Sequence, residues 1–126
     1  MLFSEIELKT NYSRTIALLS RNVYCIRILL LISARASAIE LAEQTLKKAM
    51  EFEIADIALY CCSILRQHQK HIGNITGFEH YKNLYNQYEE IQHAENKAAE
   101  YFDSFILLHA GSNLFKMEDL DRLSGY

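Results

Sequence analysis

Apolar residues along this chain recur in alternating steps of three and four, the pattern of helices that each bury one face. The series Tyr12, Ile16, Leu19, Val23, Ile26, Leu30 predicts a first helix over roughly 12–33. Leu18, Cys25, Leu29 and Leu31 fall off that face, so the second half of this helix is apolar nearly all round and is expected to be covered on several sides. Residues 4–9 could form a turn of their own. Ser37 and Glu40 have capping-box spacing and predict the start of a second helix running to about Glu51. Its inward positions are Ile39, Ala42, Leu46, Ala49 and Met50, and its solvated face carries Glu40, Glu43, Lys47 and Lys48.

The apolar face shifts near Phe52, which predicts a break there. A third helix over about 54–72 places Ile54, Ile57, Ala58, Cys61, Ile64, Leu65 and Ile72 on one side, and Leu59, Tyr60 and Cys62 on the other. Two apolar faces predict a helix sandwiched between neighbours. Gly73-Asn74 is a helix stop, since glycine tolerates the left-handed conformation at a C-terminus. Thr76 and Glu79 give another capping-box match. Beyond them Tyr81, Leu84, Tyr88, Ile91, Ala98, Phe102 and Phe105 keep the helical period without a breaker until Gly111. Such a helix would reach about 50 Å. Ser112 is expected to cap a short final helix with Leu114, Met117, Leu120 and Leu123 inward. The expectation is one all-α domain over 1–126, with five to six helices in antiparallel pairs and a long fourth helix.

Composition reinforces this. The 126 residues include no proline and four glycines, where average usage near 5% would give about six prolines. A chain so short of breakers spends its length in helix. The net charge of −3 and the scattered Lys and Arg show no basic stripe, which argues against a nucleic-acid partner. Cys25, Cys61 and Cys62 all lie in apolar runs and read as reduced, buried thiols of a cytoplasmic protein. Glu5 and Glu7 interrupt the N-terminal segment, so it is no signal peptide. The apolar run 23–32 contains Arg27 and has about half the length of a membrane span, and so reads as a core helix, with no membrane partner expected.

Ala42-x3-Leu46-x2-Ala49 has the spacing of the second helix of a tetratricopeptide repeat, and Ile26-x2-Leu29 that of its first helix. A second copy reads as Cys61-x2-Ile64 followed by Tyr81-x3-Tyr85-x2-Tyr88. Two helix pairs, about 20–51 and 54–90, thus resemble degenerate copies of one unit, and the chain resembles tetratricopeptide-like helical-repeat proteins over about 70 residues. It departs from the pattern where Leu30 replaces a small residue and Ile54 replaces the helix-ending proline. The resemblance implies a non-enzymatic scaffold with a concave face that binds a protein or peptide. Tyr24, Arg27 and Leu31 would face it from the first unit, and Leu59, Cys62 and Arg66 from the second. The two arginines would suit a ligand with an acidic group beside apolar anchors. The alternative is that the leucines are core and the arginines snorkel to solvent.

Two other chemistries are weighed. Arg66 and His71 stand in an R-x4-H arrangement that resembles the motif of HEPN-type ribonucleases, which are all-α domains of similar size. That resemblance implies acid–base work by His71 and phosphate stabilisation by Arg66. The plain alternative is that both serve the negative end of a helix dipole. His68 and His71 share a helix face, and Glu90-x2-His93 has di-iron spacing, but a second such segment is missing, so no metal and no cofactor are expected. The tyrosines of the long helix, with Tyr88, Ile91, Ala98 and Phe102 at heptad spacing, make a homodimer an expectation as well.

Overall fold

The computed structural model describes the backbone of residues 2–124 and the side chains of residues 4–111. Four helices follow in order: α1 (Leu2–Leu31), α2 (Arg35–Glu51), α3 (Ala55–Ile72) and α4 (Ile75–Ser124). No strand occurs among the described residues. The all-α class is as expected, while the count of five to six helices is corrected to four. Residues 4–9 belong to α1, and the helix runs through Gly111 into what was expected to be a separate final element. No proline or glycine interrupts residues 2–31. A lone glycine costs a helix about 1 kcal/mol, too little to stop a long one by itself. The inward positions expected of Leu114, Met117, Leu120 and Leu123 lie outside the described side chains.

The three connections share one construction. Ser33, Glu53 and Gly73, evenly spaced along the chain, each take positive φ, at 64°, 55° and 73°. At each, the left-handed residue donates its N–H to the third residue back: Ser33 to Leu30, Glu53 to Met50, Gly73 to Lys70. The next residue donates to the fifth back: Ala34 to Leu29, Ile54 to Ala49, Asn74 to Gln69. This is the Schellman pattern, which satisfies the last carbonyls of one helix and turns the chain directly into the next. Ala34, Ile54 and Asn74 then accept the first bond of the following helix, from Ala38, Ala58 and Phe78. The Ser37–Glu40 and Thr76–Glu79 pairs therefore lie inside helices and cap nothing. The side-chain cap of α4 is Asn74, whose Oδ1 accepts the Gly77 N–H at 3.1 Å. The turns, not capping boxes, set the starts of α2, α3 and α4.

The chain divides into two compact units, 1–92 and 93–126. In the first, α2 packs on α1 and on α3, and α1 also touches α3. A stripe of small residues on α2 (Ala38, Ala42, Thr45 and Ala49, all fully buried) lets two neighbours approach its backbone. Thr45 satisfies its buried hydroxyl by donating to the Leu41 carbonyl at 2.7 Å. Leu19 and Ile26 enter this core from α1, and Ile57, Ala58, Cys61, Cys62 and Leu65 from α3. Tyr81, Leu84, Tyr85 and Tyr88 of α4 pack against it. Met50 and Ile72, expected inward, are exposed. The second half of α1 is covered on its core face only: Tyr24, Ile28 and Leu31 are exposed, because α1 is a terminal helix of the packed set. In the second unit, residues 93–111 are exposed throughout.

Candidate protein-binding surfaces

The α1–α3 face carries the residues that the sequence offered for binding. A shallow groove of about 250 Å³ is lined by Ser20, Val23, Arg27, Asp56, Ile57 and Tyr60. Arg27 is exposed and lays its guanidinium 5.2 Å from the Tyr60 ring centroid. Asp56 begins α3, where a carboxylate suits the positive end of the helix, and its Oδ1 accepts the Ile57 N–H at 2.9 Å. The groove thus offers a cation, an anion and an aromatic ring in one place. Tyr24 projects outward from the same helix at 65% exposure.

Arg66 repeats the pairing one helix further along. Its guanidinium sits 4.9 Å from the Tyr85 centroid of α4, and the side chain is half-buried. Cys62, expected beside Arg66 on a binding face, is instead fully buried. The physical reason is that α3 has neighbours on both sides, so both of its apolar faces are core. Burial pushes the Cys61 thiol up to about 12, with Cys62 adding to the rise. Burial likewise pushes Cys62 up to about 11, opposed by Arg66. Neither is a nucleophile near neutral pH. Burial also raises the hydroxyls of Tyr81 and Tyr88, helped by Glu43 at Tyr81 and by Glu53 at Tyr88.

The residues of the other candidate chemistries stand on α3 and α4. Arg66 and His71 are five residues apart on α3, so their side chains leave the helix about 140° apart. Arg66 is engaged with Tyr85, while His71 is exposed. His68 accepts a 3.4 Å hydrogen bond at Nδ1 from Arg35 Nε at the start of α2. Among the described residues no three of His, Cys, Asp and Glu come together as a metal site. No helix there is long and apolar enough to cross a membrane.

Of the residues expected in self-association, Tyr88 packs against the core, whereas Ile91, Ala98 and Phe102 are exposed. Large apolar side chains around Phe102 are more exposed than Ile91: Tyr101, Phe102, Phe105, Leu107 and Leu108 all stand at 64% or above. The cations are spread over all four helices, while the acidic residues gather on α4. Between residues 8 and 39 there are five (Lys9, Arg14, Arg21, Arg27 and Arg35) and no Asp or Glu. Between 89 and 103 there are five acidic residues and one lysine. No family model, curated protein or solved structure matches the chain.

Proposed function

We propose that this chain is a non-enzymatic protein-interaction scaffold built from packed helical hairpins. One observation carries the reading: a well-packed stack leaves large apolar side chains uncovered beside a polar groove on α1 and α3. Tyr24 and Leu31, at 65% and 83% exposure, flank Arg27 along α1. Contiguous exposed apolar groups rimmed by charge mark partner-binding surfaces, and Tyr and Arg dominate the energetics of such surfaces. The neighbour relations support a helical-repeat stack, since each helix packs on the next and α1 also meets α3. The two-helix unit from Ser33 to Gly73 is longer than the roughly 34 residues of a tetratricopeptide repeat. The ligand this face suits is a protein segment with an acidic group next to apolar anchors, the acid meeting Arg27.

The test is affinity capture of the tagged chain from its native cells, with protein and RNA both identified. A near-stoichiometric protein that is lost on Tyr24→Asp or Arg27→Glu, with helical content unchanged, supports the scaffold. Both side chains are exposed, so the fold should tolerate either change. Capture of RNA instead, with cleavage that disappears on His71→Ala, would replace this reading with a ribonuclease.

A further inference from the structure

The far part of α4 carries an apolar line that complements itself. Ala94, Ala98, Tyr101, Phe105 and Leu108 follow steps of four, three, four and three, the a and d spacing of a coiled coil. All five belong to the second unit, 93–126, and all are exposed. Tyr101, Phe105 and Leu108 stand at 74%, 65% and 75%, and Phe102 beside them at 64%. Uncovered apolar groups gathered in this way mark a contact surface. The line is small in its first half and large in its second. The charges of the stretch keep off it. Glu100 and Asp103 leave the helix more than about 100° away, and Glu95 and Lys97 flank the line on opposite sides.

We propose that this line pairs antiparallel with the same line of a second copy, about a two-fold axis between Ala98 and Tyr101. Ala98 then faces Tyr101 of the other chain, and Ala94 faces its Phe105, each contact occurring twice. Small against large at every central layer is how facing helices fill their seam. The parallel alternative sets alanine on alanine and aromatic on aromatic, leaving voids at one end and crowding at the other. In the antiparallel register Glu95 lies across from Phe102 and Lys97 across from Ser104, so like charges do not meet. The order of small and large commits the line to its own copy, because each half is the complement of the other. The area suffices as well. A fully covered aromatic buries about 150–250 Å², and Tyr101, Phe102 and Phe105 are each about two thirds open. With Leu108 and both copies counted, the contact approaches the roughly 1,000 Å² of a specific interface. The same patch serves on both chains, so the assembly closes at two copies. It uses none of the residues of the α1–α3 groove and is independent of a partner there.

The experiment is sedimentation equilibrium of the full chain, with Ala98→Tyr, Tyr101→Ala and an equimolar mixture of the two variants. The wild type is expected at twice its 14.6 kDa mass. Each variant alone should associate at least about tenfold more weakly, because its central layers become aromatic on aromatic or alanine on alanine. The mixture should return to within about threefold of wild type, since every central layer is again small against large. Both positions are exposed, and circular dichroism checks that each variant stays helical. Orientation is read separately from nitroxide pairs in a Cys25→Ser background, on Glu100→Cys and on Leu107→Cys. The antiparallel register displaces the two Leu107 positions by about 20 Å along the axis but leaves the two Glu100 positions nearly level. The Leu107 pair should therefore read clearly longer. A monomeric wild type overturns the proposal, as do single variants that associate like wild type, a mixture that stays weak, or equal nitroxide separations at the two positions. If self-association fails while partner capture through Tyr24 and Arg27 persists, only this inference falls and the scaffold reading stands.

Discussion

Arg66 of α3 lays its guanidinium over the ring of Tyr85 on α4, 4.9 Å from the centroid. The contact joins consecutive helices beyond the Gly73 turn. Arg27 and Tyr60 make the equivalent contact between α1 and α3 at 5.2 Å. A guanidinium on an aromatic face contributes about 0.5–1 kcal/mol when exposed and about 2 when desolvated. Arg66 is half-buried, so its pair should be the stronger.

A double-mutant cycle on Arg66→Ala and Tyr85→Leu in urea should give a coupling energy of about 1 kcal/mol. The Arg27–Tyr60 cycle should give less, because Arg27 is exposed. Equal or zero couplings would show that the stacking is incidental.

The three left-handed positions should respond in opposite directions to substitution. At Gly73, φ is +73° and an added Cβ meets nothing within 4 Å. Gly73→Ala should therefore cost only the backbone penalty, about 1 kcal/mol. Ser33 and Glu53 already bear that penalty at φ 64° and 55°. Ser33→Gly and Glu53→Gly should each raise stability by up to about 1 kcal/mol, read as an upward shift in Tm.

The cysteines should separate by reactivity. Cys61 and Cys62 are fully buried and pushed up to about 12 and about 11, whereas Cys25 is half-buried. A thiol reagent at pH 8 should label the native chain at Cys25 and reach the vicinal pair only on unfolding. The same shifts set an alkaline limit. The folded thiols hold protons that the unfolded ones release above their ordinary 9.0, so the unfolded state binds fewer protons there. Stability should be level below pH 9 and fall as pH rises from 9 towards 11–12. A urea midpoint constant from pH 8 to 11 would contradict this.

Ala42→Leu should destabilise by about 1–3 kcal/mol or more, since Ala42 is fully buried on the small-residue stripe of α2. Ala99→Leu, on an exposed helix surface, should change stability by less than about 0.5 kcal/mol. Similar effects at both positions would mean that α2 is not held close to its neighbours.

The helical class, the ends of α2 and α3, and the stop at Gly73 were all legible along the chain, because each depends on local period or local backbone freedom. The breaks at Gly111 and the starts at Ser37 and Thr76 were misread for a related reason. A single weak local signal yields when the surrounding residues favour continued helix, and a Schellman turn can start the next helix without a capping side chain. Periodicity placed Leu19 and Ile26 on the buried face of α1, but it could not show that the opposite apolar face, with Tyr24 and Ile28, stays bare. Only the packing of α2 and α3 against one side decided that. Tertiary contact likewise took Cys62 out of any binding face and gave Arg66 its tyrosine. The order of charges and apolar steps belongs to the sequence; what each stripe meets is set by which neighbours the short turns bring alongside it.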